Sequence, residues 1–259
     1  MDNINHDYIN VDPLKKSYHE SIIDVPEHAE SIRGGNTALL CIDLQYLDAA
    51  PGYGVFAPDY ASGVPPLAQE YYFTMLRETV IPNVRRLQDA FRQNGLEVLH
   101  TRIQALTIDG RDRSAGHKRL GLLARPGSKE AEFLEEIAPR GDEVIVNKTA
   151  SGVFSATNME YILRNLEISS LFVVGVYTNE CVSTTVRSAC DLGFYVTVID
   201  DACTTVTAEL HEFTIVTLKD RYARVLNTEQ AIAEISRHMV ETERSIALRE
   251  SANPLHPAT

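Results

Sequence analysis

The sequence predicts an α/β fold, a doubly wound, mainly parallel sheet of about six strands with helices on both faces. The first observation is a set of short apolar runs, such as residues 37–42 and 171–176, which are typical of strands buried on both faces. The second is that these runs alternate with segments of helical periodicity, as in parallel sheets. The third is the length of 259 residues, which is ample for one large domain.

In the first half of the chain, strands are predicted at 37–42, 97–102 and 143–147. The polar segment 1–34 carries prolines and a Gly-Gly pair and is predicted to be an irregular arm. Residues 47–66 are rich in Gly, Pro and aromatic residues, which favours a loop. An amphipathic helix is predicted at 71–94, ending before Gly95, and a short helix at 129–137.

In the second half, a polar loop at 151–157 precedes a helix at 159–166 and a strand at 171–176. A helix then runs from Cys181 to about residue 192, since Gly193 is a typical end signal. The remaining elements are a strand at 194–200, a helix at 209–221, a strand at 223–226 and a helix from 228 to about 240. We therefore divide the chain into the arm 1–34, one large domain at 35–242 and a tail at 243–259.

Composition excludes several classes of partner. The formal net charge of −12 disfavours nucleic acid and anionic membrane surfaces, so the expected partner is a small-molecule substrate. No apolar run approaches the roughly 20 residues that span a bilayer. The four cysteines show no paired spacing, which favours reduced thiols and a cytoplasmic location.

Three reactive side chains follow predicted strands at their carboxyl ends: Asp43, Lys148 and Cys181. In a doubly wound sheet these ends converge on one crevice, where ligands bind. A cysteine supplies a nucleophile, an aspartate takes its proton, and a lysine stabilises the negative charge. The alternatives are a helix-capping role for Asp43 and a buried, inert Cys181.

The turn before Cys181 has the order strand, tight turn, helix. The positive end of the helix dipole favours the thiolate over the thiol, and backbone N–H groups of the first turn can hold an oxyanion. No histidine follows a strand in this way, so a Cys-His pair is disfavoured, and His100, His117 and His211 are predicted to be structural or surface residues.

Three segments, CIDLQ at 41–45, NKTASGVF at 147–154 and GVYTNECV at 175–182, resemble motifs of the isochorismatase-like cysteine hydrolases. The resemblance covers residues 35 to 235. It implies that Asp43, Lys148 and Cys181 form the family's catalytic triad. It also implies a cis peptide at Val176–Tyr177 and oxyanion donors at the backbone N–H groups of Tyr177 and Cys181.

Two differences between this sequence and motifs of the family restrict the expected reaction. The Asp-x-His motif of the nicotinamidases is missing from the corresponding loop, so we expect no metal and no other cofactor. The isochorismatases proper lack the cysteine, which leaves the amide and ureide branch: biuret hydrolase, ureidoacrylate amidohydrolase and N-carbamoylsarcosine amidase. The resemblance also implies a homo-oligomer, either a tetramer or a dimer.

The expected function is therefore metal-independent hydrolysis of a C–N bond in a small carbamoyl, ureido or amide compound, through a thioester, with release of ammonia. The alternatives are a non-catalytic binding protein on the same fold, a nicotinamidase-like amidase and a thiol redox sensor.

Substrate contacts are expected from an aromatic loop and a basic loop. The basic segment 111–125 is predicted to bind an anionic end of the substrate, the alternative being a solvated surface loop. Gln45 is expected to bond a substrate amide or, equally, to bond backbone groups. The predicted substrate-binding side chains are Gln45, Tyr53, Phe56, Lys118, Arg119, Phe154 and Tyr177.

Overall fold

The computed structural model describes Tyr18, Ile22, residues 25–60 and residues 63–252, without the side chains of 243–252. Within this part of the chain, the sheet has six strands, all parallel, in the order β3-β2-β1-β4-β5-β6. The strands are β1 (Thr37–Ile42), β2 (Glu97–Ile103), β3 (Val144–Lys148), β4 (Ser170–Val176), β5 (Tyr195–Thr204) and β6 (Arg224–Leu226). The predicted fold class is confirmed, and β3 and β6 form the two edges of the sheet.

The helices lie between the strands in the chain. They are α1 (Glu27–Gly34), α2 (Tyr46–Ala49), α3 (Pro66–Met75), α4 (Ile81–Gln93), α5 (Ala115–Arg119), α6 (Val153–Ala156), α7 (Met159–Asn165), α8 (Ser183–Asp191), α9 (Ala208–Leu218) and α10 (Thr228–Ala252). Two π-helical turns, Leu76–Val80 and Thr178–Val182, lead directly into α4 and α8. None of the described helices combines the length and apolar character needed to cross a bilayer.

Both faces of the sheet are buried, which explains the continuous apolar runs. Along β1, Leu39 and Cys41 face one core with Phe91 of α4. Leu40 and Ile42 face the other core with Val186 of α8. Because side chains alternate between the two faces of a strand, a strand covered on both faces has no position that favours a polar residue.

Several predicted boundaries are wrong. Residues 27–34 of the predicted arm form α1, which begins after Pro26, carries acidic residues in its first turn and ends at Gly35 with φ 76°. The last helix continues to Ala252 through most of the predicted tail. Residues 129–137 form two short 3₁₀ turns, and the predicted loop at 151–157 contains α6. Most of the arm, 1–24, lies outside the described residues apart from Tyr18 and Ile22.

The strands β1 and β4 approach each other closely at Gly175. This residue pairs with Ile42 and has φ 122°, a conformation that favours glycine. A Cβ atom at Gly175 would lie 2.1 Å from the carbonyl oxygen of Ile42. Since Asp43 follows Ile42 directly, this glycine sets the separation of the two strand ends that frame the candidate site.

We predict that Gly175→Ala lowers the free energy of unfolding by about 3 kcal/mol or more, because it combines an unfavourable φ with a backbone clash. The matched control is Gly193→Ala, which also has positive φ (84°) but no atom within 4 Å of the added Cβ. The control substitution is expected to lower the free energy of unfolding by about 1–2 kcal/mol. Urea unfolding measures both values. Equal losses in the two variants would contradict the close-approach argument.

Candidate active site

Asp43 lies immediately after β1, fully buried. Its backbone has φ 52°, a left-handed conformation that aspartate tolerates better than most residues. Its N–H donates to the carbonyl of Thr101 on β2, and the Thr101 hydroxyl donates to Asp43 Oδ1 at 3.1 Å. These bonds to the neighbouring strand hold the carboxylate at the carboxyl edge of the sheet.

Lys148 is the last residue of β3 and is also fully buried. Because β2 lies between β3 and β1, the lysine side chain reaches past one strand to meet Asp43, with 2.7 Å between Nζ and Oδ2. The ammonium also donates to the carbonyl of Ala150 at 2.9 Å and to Cys181 Sγ at 3.3 Å. Burial lowers the pKa of Lys148, but the charges of Asp43 and Cys181 outweigh that effect, so the pKa stands above its ordinary value.

Cys181 lies in the π-helical turn that precedes α8 and is 4% exposed. Burial raises the pKa of its thiol well above the ordinary value. The charge of Lys148 opposes this rise, while the charge of Asp43 and its hydrogen bond with the thiol increase the pKa further. The surroundings of Cys181 thus favour the thiol, and the predicted thiolate gains no support from them.

The structure thus brings together the three side chains predicted from separate strand ends. Lys148 stands between a carboxylate and a sulfur, close enough to hydrogen-bond with both. A proton that leaves the sulfur can pass to Asp43, and the ammonium stabilises negative charge on either atom. The arrangement fits nucleophilic attack by sulfur on an electrophilic carbon.

A cavity of about 280 Å³ opens above Cys181. Its volume suits a small molecule. Polar and apolar side chains from several loops form its wall together with Tyr177 and Cys181: Asp48, Val55, Val64, Ile103, Ser114, His117, Leu120, Leu122, Ser151, Asn179, Glu180, Thr205 and Val206.

The turn that carries Cys181 is braced by side chains on two other segments. The hydroxyl of Thr178 and Nδ1 of His211 lie 2.9 Å apart, and Nε2 of His211 lies 2.9 Å from Asp200 Oδ1. The hydroxyl of Thr205 donates to Asn179 Oδ1 at 2.6 Å. His211, predicted to be structural or surface, therefore has a specific structural role, since it ties the turn to α9 and β5.

Tyr177 lines the cavity as predicted, and its hydroxyl donates to the backbone carbonyl of Asp48 at 3.1 Å. The peptide bond between Val176 and Tyr177 is cis, as the family resemblance implies. Both predicted oxyanion residues, Tyr177 and Cys181, border the cavity. The donor role of their backbone N–H groups stays a prediction.

The amide of Gln45 does not reach the cavity, which corrects its predicted substrate contact. Its Nε2 donates to the carbonyls of Ile103 and Glu130 at 2.9 and 2.7 Å, and its Oε1 accepts the N–H of Ile103. The backbone alternative is therefore the correct one: Gln45 joins the end of β2 to the turn at 129–131.

The predicted aromatic contacts are also wrong. Tyr53 packs edge-on against Tyr46, and Phe56 is buried against Tyr72 with ring centroids 5.4 Å apart. Phe154 stacks on Phe194 and does not line the cavity. Phe56 lies in a hydrophobic core, and Tyr53 and Phe154 are partly buried against the cores, because burying an aromatic ring is strongly favourable. The aromatic loop borders the cavity through Val55 instead.

Lys118 and Arg119 are exposed and do not line the cavity, which corrects their predicted role. Arg111 pairs with Asp109 at 3.1 Å in solvent, and Arg113 donates to the backbone carbonyls of Gly110 and Leu122. The solvated-surface alternative for the basic loop therefore holds, because its cationic groups pair locally or face water.

Several polar residues at the cavity lie outside the predicted substrate contacts, among them Asp48 and His117, and His117 lines the cavity although it was predicted to be a structural or surface residue. Asp48 lies on α2, five positions after Asp43. His117 lies on α5, and its backbone N–H donates to Ser114 Oγ at 3.1 Å. The available signals were a second carboxylate close behind the first and a Ser-x-x-His capping pattern. Neither signal indicates which side chains face a cavity.

Among the described residues, no three His, Cys, Asp or Glu side chains are grouped in a way that could hold a metal ion. Independence of metals and of other cofactors stays a prediction.

A model of the isochorismatase domain matches residues 37–230. The uncharacterized isochorismatase family protein YrdC of Bacillus subtilis (strain 168) is 33% identical over 121 residues, covering 42% of this chain and 65% of YrdC. N-carbamoylsarcosine amidase of Arthrobacter sp is 30% identical over 169 residues, covering 62% of this chain and 56% of that enzyme. The chain thus spans less than two thirds of the length of either relative.

The fold also matches solved structures. A cysteine hydrolase from Pseudomonas syringae pv. phaseolicola 1448A superposes with a TM-score of 0.65 at 21% identity, covering 79% of this chain and 94% of that one. At this identity the likeness concerns the fold alone.

We predict that Lys148→Met lowers the free energy of unfolding by about 3–5 kcal/mol, because it leaves the buried Asp43 carboxylate without its cation. Adding Asp43→Asn is expected to recover most of that loss, since the double variant buries no unpaired charge. Arg77→Met, which breaks an ion pair that is 66% and 62% exposed, is the control and should cost less than about 1 kcal/mol. Urea unfolding gives the three values. A double variant that is no more stable than Lys148→Met would contradict the pairing.

Proposed function

We propose that the chain, which belongs to the isochorismatase family, is a cysteine amidohydrolase that cleaves a C–N bond of a small amide or ureide. The observation that carries this proposal is the contact of Lys148 with both Asp43 and Cys181, at 2.7 and 3.3 Å, beneath a cavity. The similarity to N-carbamoylsarcosine amidase supports amide chemistry.

The reaction begins when a substrate carbonyl carbon enters the cavity above Cys181. The sulfur attacks this carbon as its proton passes to Asp43, so that a C–S bond forms and the carbonyl π bond opens to an oxyanion. The backbone N–H groups of Tyr177 and Cys181 are proposed to hold that oxyanion. When the C–N bond breaks, the nitrogen takes the proton from Asp43 and leaves as ammonia or an amine.

Hydrolysis of the thioester completes the cycle. Asp43 takes a proton from a water molecule whose oxygen attacks the thioester carbon, the C–S bond breaks, and the sulfur recovers its proton. The sum is one amide plus one water, converted to one acid, or carbamic acid from a ureide, plus one ammonia or amine. Lys148 stays charged throughout and stabilises whichever neighbour carries the negative charge.

The raised pKa of Cys181 fits this sequence of steps. Since Asp43 stands within hydrogen-bonding reach of the thiol, the nucleophile forms at the moment of attack rather than beforehand. The proton moves within the site, so the reaction does not depend on a standing thiolate population.

Two predicted alternatives gain no support from the geometry. A redox sensor needs a resolving thiol, and Cys190, which lies on α8, does not line the cavity. A binding protein without catalysis gives no reason for a buried cation between a carboxylate and a thiol. A cytoplasmic location stays a prediction.

We predict that Cys181→Ala keeps the fold but lowers kcat/KM for ammonia release by about 10³-fold or more, because the covalent nucleophile is gone. Cys190→Ala is the control and should retain activity.

Because the pKa of Cys181 is raised, alkylation of Cys181 by iodoacetamide should accelerate roughly tenfold per pH unit from pH 7 to 9. Peptide mapping by mass spectrometry follows that rate. A rate that levels off below pH 8 would show a standing thiolate and contradict the concerted step.

We also propose a homo-oligomer, either a dimer or a tetramer. Three apolar side chains of α9 face solvent at helical spacing, Leu210 at 40%, Phe213 at 62% and Val216 at 39% exposure, and such patches favour association.

Light scattering at micromolar concentration is expected to give at least twice the chain mass of 28.8 kDa. Phe213→Asp should shift the mass toward that of one chain. Tyr161→Asp, at a site on α7 that is 68% exposed, should not. A single-chain mass for the wild-type protein would overturn the proposal.

A further inference from the structure

The described residues that line the cavity include carboxyl groups but no lysine or arginine. These carboxyl groups belong to Asp48 and Glu180. The nearby ammonium of Lys148 is fully buried and already paired with Asp43. A ligand in the cavity therefore meets no free cation from the lining residues.

Two hydrogen bonds to its backbone carbonyl hold Asp48 in place. The hydroxyls of Tyr72 and Tyr177 both donate to its carbonyl oxygen, at 2.7 and 3.1 Å. The residue is 5% exposed, and within the described part of the chain its Oδ2 has no hydrogen-bond partner. Burial, followed by the charge of Asp43, raises the pKa of this carboxyl well above its ordinary value.

His117 lies on a different segment of the cavity wall, on α5. It is also 5% exposed, and among the described residues Nδ1 of its ring has no hydrogen-bond partner. Burial, followed by the charge of Lys148, lowers the pKa of His117, which favours the neutral ring. A neutral imidazole offers one donor and one acceptor but no positive charge for a carboxylate.

We propose that the cavity takes an uncharged amide or ureide, that the carboxyl of Asp48 and the imidazole of His117 bind its polar groups, and that carboxylate-bearing analogues are rejected. This inference rests on the proposed function and specifies its substrate class. It replaces the anionic substrate end that the basic loop predicted.

The physical reason lies in the cost of unpaired polar groups. A buried carboxyl and a buried imidazole without partners destabilise the free protein, and a ligand that pairs with both recovers that free energy. A ureide carries N–H donors and a carbonyl acceptor, which are the kinds of polar group that a carboxyl and an imidazole can bind. A carboxylate would lose its hydration beside Asp48 without gaining a cation, so its transfer into the cavity is unfavourable.

The first test compares two substrates that differ only at one end, the N-methylamide of N-carbamoylglycine and N-carbamoylglycine itself, so that in both compounds ammonia comes from the ureide group alone. Ammonia release should give a kcat/KM at least about 100-fold higher for the neutral amide than for the acid. Comparable values for the two compounds would overturn this inference and leave the proposed function intact. Release from neither compound, with no acylation of Cys181, would overturn the proposed function and this inference with it.

The second test introduces the missing cation. Leu120, which lines the cavity and is 51% exposed, is replaced by Arg, and Val240→Arg on α10, at 44% exposure, is the control. Leu120→Arg should raise kcat/KM for the acid relative to the amide at least about tenfold, whereas the control should leave that ratio unchanged. An unchanged ratio in Leu120→Arg would contradict rejection by charge.

The third test separates binding from structure at Asp48. Asp48→Leu should lower kcat/KM for the amide at least about tenfold and raise Tm by about 2–4 °C, because an unpaired buried carboxyl is removed. Asp48→Asn should recover much of the lost activity, since it keeps hydrogen-bonding capacity, and Asp191→Asn on exposed α8 surface is the control. A fall in Tm for Asp48→Leu together with unchanged KM would show a purely structural role and overturn the assignment.

Discussion

The buried ion pair between Lys148 and Asp43 is the interaction on which the candidate site depends. Burying both charges costs desolvation free energy. Their contact at 2.7 Å offsets that cost only if both side chains keep their relative positions. The requirement fixes the relative position of three adjacent strands, since β2 lies between the strands that carry the two residues. Thr101 on that middle strand bonds the carboxylate, and Gly175 on β4 sets the approach from the other side. Cys181 then lies against a charge pair that the sheet itself holds in place.

Much of this arrangement could be predicted from the sequence, because it follows from topology. Residues that end parallel strands share one edge of the sheet, so Asp43, Lys148 and Cys181 could be placed together without coordinates. The family identified from the three motifs is confirmed by the domain match over residues 37–230. The strands were well predicted because strands buried on both faces carry continuous apolar runs.

The residues of the cavity wall could not be predicted in the same way, because the sequence does not show which distant residue a side chain packs against or hydrogen-bonds. Gln45 lies two positions after Asp43, yet its amide donates to the carbonyls of Ile103 and Glu130. Phe56 belongs to the aromatic loop, but its ring packs against Tyr72 in the core, where its burial stabilises the fold. The protonation state of Cys181 depends on burial and nearby carboxylates, which raise the pKa of its thiol, against the charge of Lys148, which lowers it. The sequence does not show these neighbours. Asp48 and His117 were missed because the sequence does not show that a polar group lacks a partner.

Lys148 lies on β3, an edge strand that pairs only with β2 within the described part of the chain and exposes Ile145 at 44%. Native proteins open locally at free energies below that of global unfolding, and an edge strand with one hydrogen-bonded neighbour is a natural place for such opening. Detachment of β3 would withdraw the ammonium from Asp43 and Cys181 while the other five strands stayed paired. The lifetime of the contacts among Asp43, Lys148 and Cys181 is therefore set by local opening of β3. Unfolding of the whole domain, which needs more free energy, does not set it.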